Sequence, residues 1–165
     1  MLDFFPANQK SINSILFGLR DNQDGTAAFA DMNKANRKKW IADVENPNGI
    51  TLTFTAIDKG IIKDEEYPGQ KRCDGMLVSD DHLYFIELKN ERGNWIQKGI
   101  TQLGSTIELF DIAHPKKKEQ YKHRKAFICN KKHPHFHTID NGKKIKFYRT
   151  YYFHLFIQAK IVIAL

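Results

Sequence analysis

The sequence predicts a mixed α/β fold, a central mixed sheet flanked by helices, and three observations predict it. Residues 50–57 alternate apolar and polar side chains, residues 72–89 read as two strands joined by a polar tip, and residues 95–113 repeat apolar positions at steps of three and four. A strand after that last helix completes a strand–helix–strand unit, the signature of helices packed on a sheet. At 165 residues the chain suits one compact domain with a real core.

Taken in order, Ser11, Ile12, Ile15, Leu16 and Leu19 give a helical spacing, so one or two short helices are expected in the first twenty residues. Asp21 to Gly25 is a turn cluster. Thr26 is suited to cap a helix running to about Val44, with Phe29, Met32 and Trp40 inward and Lys34, Arg37, Lys38 and Lys39 outward. Asn46-Pro47-Asn48-Gly49 would stop it. Ile50 to Ile57 reads as a strand. Arg72 to Val78 and His82 to Lys89 read as a hairpin turning at Ser79-Asp80-Asp81. Ile96, Ile100, Leu103, Ile107 and Phe110 form the apolar stripe of a helix from Trp95 to about Ala113. Lys125 to Cys129 is a short strand, His133 to Lys144 a turn-rich basic loop, and Lys146 to Phe156 a further strand region. Residues 157–165 fit a helix or a strand equally well.

Composition narrows the partners. Residues 114–160 carry 13 of the 26 Lys and Arg but only two of the 19 acids, a net of +11, while residues 1–113 hold 13 bases and 17 acids, a net of −4. An acidic, metal-chelating half beside a basic half suits a protein that handles polyanions, with DNA the expected partner. A solvated basic surface with no partner would carry the same charge. No apolar run approaches the roughly 20 residues a membrane span needs, and Met1 to Pro6 lacks a basic segment leading into an apolar core, so neither a membrane anchor nor a secretory leader is expected. Cys73 and Cys129 make no disulfide framework and suit a reducing cytoplasm.

The stretch that carries chemistry is Cys73-Asp74-Gly75 followed by Leu83-Tyr84-Phe85-Ile86-Glu87-Leu88-Lys89. Side chains alternate along a strand, so Glu87 and Lys89 share one face and Leu88 takes the other. The apolar run before them marks a central strand covered on both faces, where an unpaired charge costs several kcal/mol. A cation would relieve that cost. In a hairpin turning near Asp80, the start of one strand lies beside the end of the other, which brings Asp74 to Glu87 within a register step. Two carboxylates and the carbonyl of Leu88 form an all-oxygen set suited to Mg²⁺ or Mn²⁺. Lys89 beside them can activate water or steady a phosphorane.

Asp74, twelve intervening residues, then Glu87-Leu88-Lys89, resembles the PD-(D/E)XK nuclease superfamily, which includes restriction endonucleases and Holliday-junction resolvases. The resemblance covers roughly residues 26–130. It implies a restriction-endonuclease-like αβββαβ core, followed by a basic C-terminal extension over 131–165, in a single domain. It also implies one or two Mg²⁺ at Asp74 and Glu87, with Lys89 at the motif lysine. Gln102, with Lys98 one turn earlier, looks like the polar element that many members carry on the next helix. Some members add an acid from the first helix, for which Asp31, Asp43 and Glu45 are the candidates. The usual proline before the aspartate is Cys73 here.

The resulting expectation is a Mg²⁺-dependent nuclease acting on DNA. Lys98, Lys131, Lys132, His133, His135, His137, Lys143 and Lys144 would touch phosphates, and a homodimer is left open as the way to grip two strands. A zinc site at Cys129, His133, His135 and His137 is the alternative use of that loop, although the spacing fits no zinc-finger pattern. Trp40 and Trp95 read as packing residues. A rival from another class is a non-catalytic nucleic-acid- or protein-binding domain that keeps the fold, such as an accessory or immunity-type factor.

Overall fold

A computed structural model describes residues 2–135 and 141–165. Its strands are β1 Ser11–Ile12, β2 Leu16–Arg20, β3 Phe29–Asp31, β4 Ala42–Glu45, β5 Leu52–Ala56, β6 Gly75–Val78, β7 His82–Lys89, β8 His123–Asn130, β9 His154–Ile157 and β10 Lys160–Val162. Two helices, α1 Trp95–Ala113 and α2 Asn141–Tyr151, and short 3-10 helices at Lys34–Lys39 and Lys117–Gln120 complete the order. The fold is α/β with a mixed sheet, and no helix among the described residues is long and apolar enough to cross a membrane.

Six strands form the main sheet in the order β1-β5-β6-β7-β8-β9, and four form a second sheet in the order β10-β4-β2-β3. Strands β5, β6 and β7 run antiparallel as a meander; α1 then crosses over to β8, which runs parallel to β7. Every residue of β7 is buried, because its two faces meet different layers. Leu83 and Phe85 pack with Leu103, Ile107 and Phe110 of α1. Tyr84, Ile86 and Leu88 pack with Phe17, Leu19, Val44 and Ile161 of the second sheet. The C-terminal strands β9 and β10 complete one sheet each.

The expected hairpin, the helix from Trp95 to Ala113 and the strand after it are all present. Within α1 the buried face runs through Trp95, Gly99, Leu103, Thr106 and Phe110, so Ile96 and Ile100 sit at its edge. Gly99 allows this close approach: a Cβ there would lie 2.9 Å from the side chain of Ile128.

Three expectations fail. The first twenty residues form strands, because Phe17 and Leu19 alternate inward with period two while Ile15 of the supposed helical stripe is exposed. The helix expected from Thr26 to Val44, the opening helix of an αβββαβ core, is absent. Its stripe breaks at Asn33 and Asn36, and Asn33 instead caps a 3-10 turn that buries no residue. Strands β3 and β4 flank that turn, and Trp40 lies over Gly18. Finally, residues 141–151 are helical where a basic loop and a strand are expected. Phe147 and Tyr151, one turn apart, pack together with ring centroids 4.8 Å apart. The helix ends at Tyr152, in the left-handed region with φ of 65°.

Candidate active site

The register of the hairpin builds the site. Gly75 pairs with Ile86, so the residue before Gly75 falls opposite the residue after Ile86, and Asp74 faces Glu87. Asp74 shares parity with Met76, and Glu87 and Lys89 share parity with Phe85. All three therefore belong to the face that α1 covers. Position 102 of α1 looks down on them, and Lys89 Nζ donates to Gln102 Oε1 at 2.5 Å. Asp74, Glu87, Leu88, Lys89 and Gln102 line one polar cleft of about 270 Å³.

Each member is held in place. Asp74 Oδ2 accepts from the Leu88 N–H at 2.7 Å. The Cys73 N–H donates to Thr106 Oγ1 at 2.7 Å, and Gln102 Nε2 donates to the Arg72 carbonyl at 3.4 Å, which stitches the approach to Asp74 onto α1. Arg72 is itself buried, paired with Asp58 at 2.7 Å and with Asp64. Lys89 Nζ lies 3.3 Å from Glu87 Oε1 and 3.7 Å from Glu91 Oε1.

The electrostatics is unfavourable for two bare carboxylates. Burial pushes Asp74 up to about 7, and the charges of Asp21 and Asp58 add to it, while the Leu88 N–H works against it. Burial also drives Glu87 well above the usual carboxylate range, reinforced by Asp74 and opposed by Lys89. Glu87 Oε2 is buried and no N–H or hydroxyl reaches it; the group beside the Glu87 carboxyl is that of Asp74, and the two hydrogen-bond to each other only when one of them is protonated. A buried acceptor left this way costs about 1–3 kcal/mol. An added cation would satisfy that oxygen and remove the repulsion, so the donor set fits a hard divalent ion held by Asp74 and Glu87. Among the described residues no three Asp, Glu, His or Cys side chains converge as a ligand set.

The other candidates scatter. Lys98 is exposed, 3.9 Å from Glu91 Oε2. Lys131 lines a separate recess with Trp40 and Pro134, and Lys132 and His135 are exposed. His133 stacks on Trp95, with centroids 5.6 Å apart. Lys143 and Lys144 belong to α2. Cys129 lies in the layer between the sheets, away from any zinc-binding geometry with His133, and burial pushes its thiol up. His137 lies outside the described residues. None of the three acids expected from a first helix joins the site. Asp31 pairs with Arg20, Asp43 with Arg37 and Glu45 with Lys160.

The acids that do line the cleft are Asp21, Asp58 and Glu91. Asp21 comes from the β2–β3 connection, which reads in sequence only as a turn. Asp58 follows β5 and Glu91 follows β7, and nothing in their local pattern marks them. Glu91 is anchored by Asn130, whose Nδ2 donates to its carbonyl at 2.7 Å.

Fold and site together define a class: a mixed α/β protein with a carboxylate pair and an ammonium sharing one buried cleft at the end of a central strand. No protein-family model, curated protein or solved structure matches this chain.

Proposed function

We propose that this protein is a metal-dependent phosphodiesterase of the restriction-endonuclease-like kind, cleaving DNA at the Asp74–Glu87–Lys89 cleft. One observation carries the reading. Two carboxylates from paired strands face each other in a buried cleft, and one of them has an oxygen that no N–H or hydroxyl reaches, so with both ionised the pair has only a proton or a cation to relieve it. The β5–β6–β7–α1–β8 order supports it, being the βββαβ part of such a core.

Asp74 and Glu87 would hold Mg²⁺ or Mn²⁺. When bound, such an ion neutralises the carboxylates and polarises the scissile phosphate. Lys89, kept against Glu87 and Gln102, presents an ammonium where negative charge develops on the phosphorane, and it favours the deprotonated form of a water beside it. Gln102 fixes that ammonium through its Oε1, so it is a positioning residue. Buried, unpaired thiols at Cys73 and Cys129 suit the reducing cytoplasm we assign to the protein.

The test is cleavage of labelled DNA by purified protein. It should require Mg²⁺ or Mn²⁺, fail with Ca²⁺ alone, and disappear in Asp74→Ala, Glu87→Ala and Lys89→Ala with the fold retained. Cleavage that persists in EDTA rules the mechanism out. The rival, a binding module with no chemistry, draws on the lack of a third converging ligand among the described residues. Under that reading the three substitutions leave the protein's function unchanged.

A further inference from the structure

The aromatic residues near the C-terminus fall into two sets. Phe147, Phe153 and Leu155 join the core beneath α1. Tyr148, Tyr152 and His154 face outward instead. The two tyrosines stand one turn apart at the end of α2 and are 37% and 52% exposed. Tyr148 lies against the exposed ring of His154, with centroids 4.6 Å apart and planes 24° apart. Tyr152 meets Tyr148 edge-on at 6.2 Å. A ladder of exposed rings thus passes from α2 onto β9, the outer strand of the main sheet.

A cation stands beside that ladder. Lys125 lies opposite His154 in the β8–β9 register, so the two share a face of the sheet. Phe156, two residues on from His154, shares it too and stacks on Phe127 at 5.3 Å. Lys125 Nζ lies 5.4 Å from the ring centre of Tyr84 and 5.3 Å from that of Phe156. The side chain is partly buried, burial pushes its pKa down, and no carboxylate among the described residues pairs with it. The two rings offset part of the cost of a desolvated ammonium. An anion arriving from outside would offset more.

The surroundings match an anionic occupant. Strands β8 and β9 and helix α2 contain no Asp or Glu. The acid at the Tyr152 end, Asp111, is already paired with Lys118 at 2.6 Å, and that lysine sits over the Tyr152 ring at 5.2 Å. Asp81 adjoins His123, one step further from the ladder than Lys125 on the same face. Exposed rings interleaved with ammonium groups suit a nucleic-acid strand whose bases are unpaired, because every base offers a face to stack while its phosphate seeks a cation. Bases inside a duplex stack on one another and cannot reach such rings.

We propose that Tyr148, Tyr152 and His154 stack the unpaired bases of a DNA strand, with Lys125 taking a backbone phosphate beside them. The platform is distinct from the cleft, which lies on the face of the sheet that α1 covers, and it does not rest on reading that cleft as a nuclease. Binding is measured in EDTA, across a salt series, by the anisotropy of three fluorescein-labelled probes: an oligothymidylate, an abasic strand of the same length and a duplex.

Wild type should bind the oligothymidylate at least about tenfold more tightly than the abasic strand. Tyr148→Ala should weaken oligothymidylate binding at least about fivefold, with the salt slope unchanged, and leave abasic binding as it was. Tyr148→Phe, which keeps a ring, should keep the affinity. Tyr152→Gly should fold as well as wild type, since glycine adopts a φ of 65° without strain, and should weaken binding as Tyr148→Ala does. Lys125→Met keeps the bulk of the side chain and should lower the log–log salt slope by about 0.7, one phosphate contact on a single strand. Equal wild-type affinity for the oligothymidylate and the abasic strand would overturn the stacking assignment. So would wild-type binding by folded Tyr148→Ala and Tyr152→Gly. Duplex binding as tight as oligothymidylate binding, and weakened as much by Tyr148→Ala, would overturn the choice of unpaired bases. An unchanged slope in Lys125→Met would overturn the phosphate contact. Every arm is read without metal, so a failure of metal-dependent cleavage would remove the cleft reading and leave these results standing.

Discussion

The two ends of β7 are both buried and both polar, yet they are built to opposite standards. At the first residue, His82 has each ring nitrogen bonded: Nδ1 to Ser79 Oγ at 2.7 Å and Nε2 to the Ala164 carbonyl. Its ring also stacks on His123 with centroids 4.7 Å apart. At the other end no N–H or hydroxyl reaches Glu87 Oε2, and burial drives both carboxyls upward, so the pair is satisfied only by sharing a proton or by a cation. A satisfied polar network rigidifies a core, whereas an unsatisfied one is a cost that persists when something outside the chain resolves it. The difference teaches which end of the strand holds the fold and which end awaits a ligand.

The largest expected effect attacks the unsatisfied end. Glu87→Ala should lower metal-dependent cleavage by about a thousandfold or more, because it removes half of the carboxylate pair and the nearer of the two ion partners of Lys89. Rates on labelled duplex and single strands check it, and retention of a tenth of the activity would break the comparison. At the satisfied end, His82→Ala should destabilise the protein by about 1–3 kcal/mol, read by urea denaturation, since Ser79 and Ala164 lose their partner. It should leave the metal dependence of cleavage unchanged.

Asp74 has a pKa of about 7 when folded against the usual 3.8. The folded state therefore holds its proton more tightly than the unfolded chain. That advantage is complete below about pH 4 and is lost as pH rises through about 7. Metal-free protein should lose Tm over that window, and Asp74→Asn should lessen the loss, leaving the share that the raised Glu87 carboxyl carries, and stand above wild type at pH 8. Metal affinity should climb over the same window, as the ligands shed protons. A metal-free Tm that rises from pH 4 to 7 in wild type and in Asp74→Asn alike would contradict the burial account. The smallest effect is the control: Arg37→Ala breaks an exposed pair with Asp43 and should cost less than about 1 kcal/mol.

Much of the site half was legible in the sequence because local periodicity and long-range packing agree there. The all-apolar approach to Glu87 and Lys89 implies a strand covered on both faces, and the hairpin arithmetic brings Asp74 opposite. Gln102 follows from its place on a strongly periodic helix. The N-terminal half was not legible, because Ile12, Leu16 and Leu19 satisfy a helical spacing while Phe17 and Leu19 satisfy a strand. Only the second sheet, whose partners β4 and β10 lie far along the chain, decides between them. The same non-local assembly hid Asp21 and Asp58, which reach the cleft by tertiary placement of loops. The basic C-terminal third was readable as charge but not as geometry, since aromatic residues at 147–153 look strand-like until Phe147 finds α1.

The most direct test is crystallographic. Crystals equilibrated with Mn²⁺ should show an anomalous peak within coordination distance of both Asp74 and Glu87, lost in Glu87→Gln. A peak elsewhere, or none with the two carboxyls ordered and facing each other, would contradict the claim that this pair is a cation site.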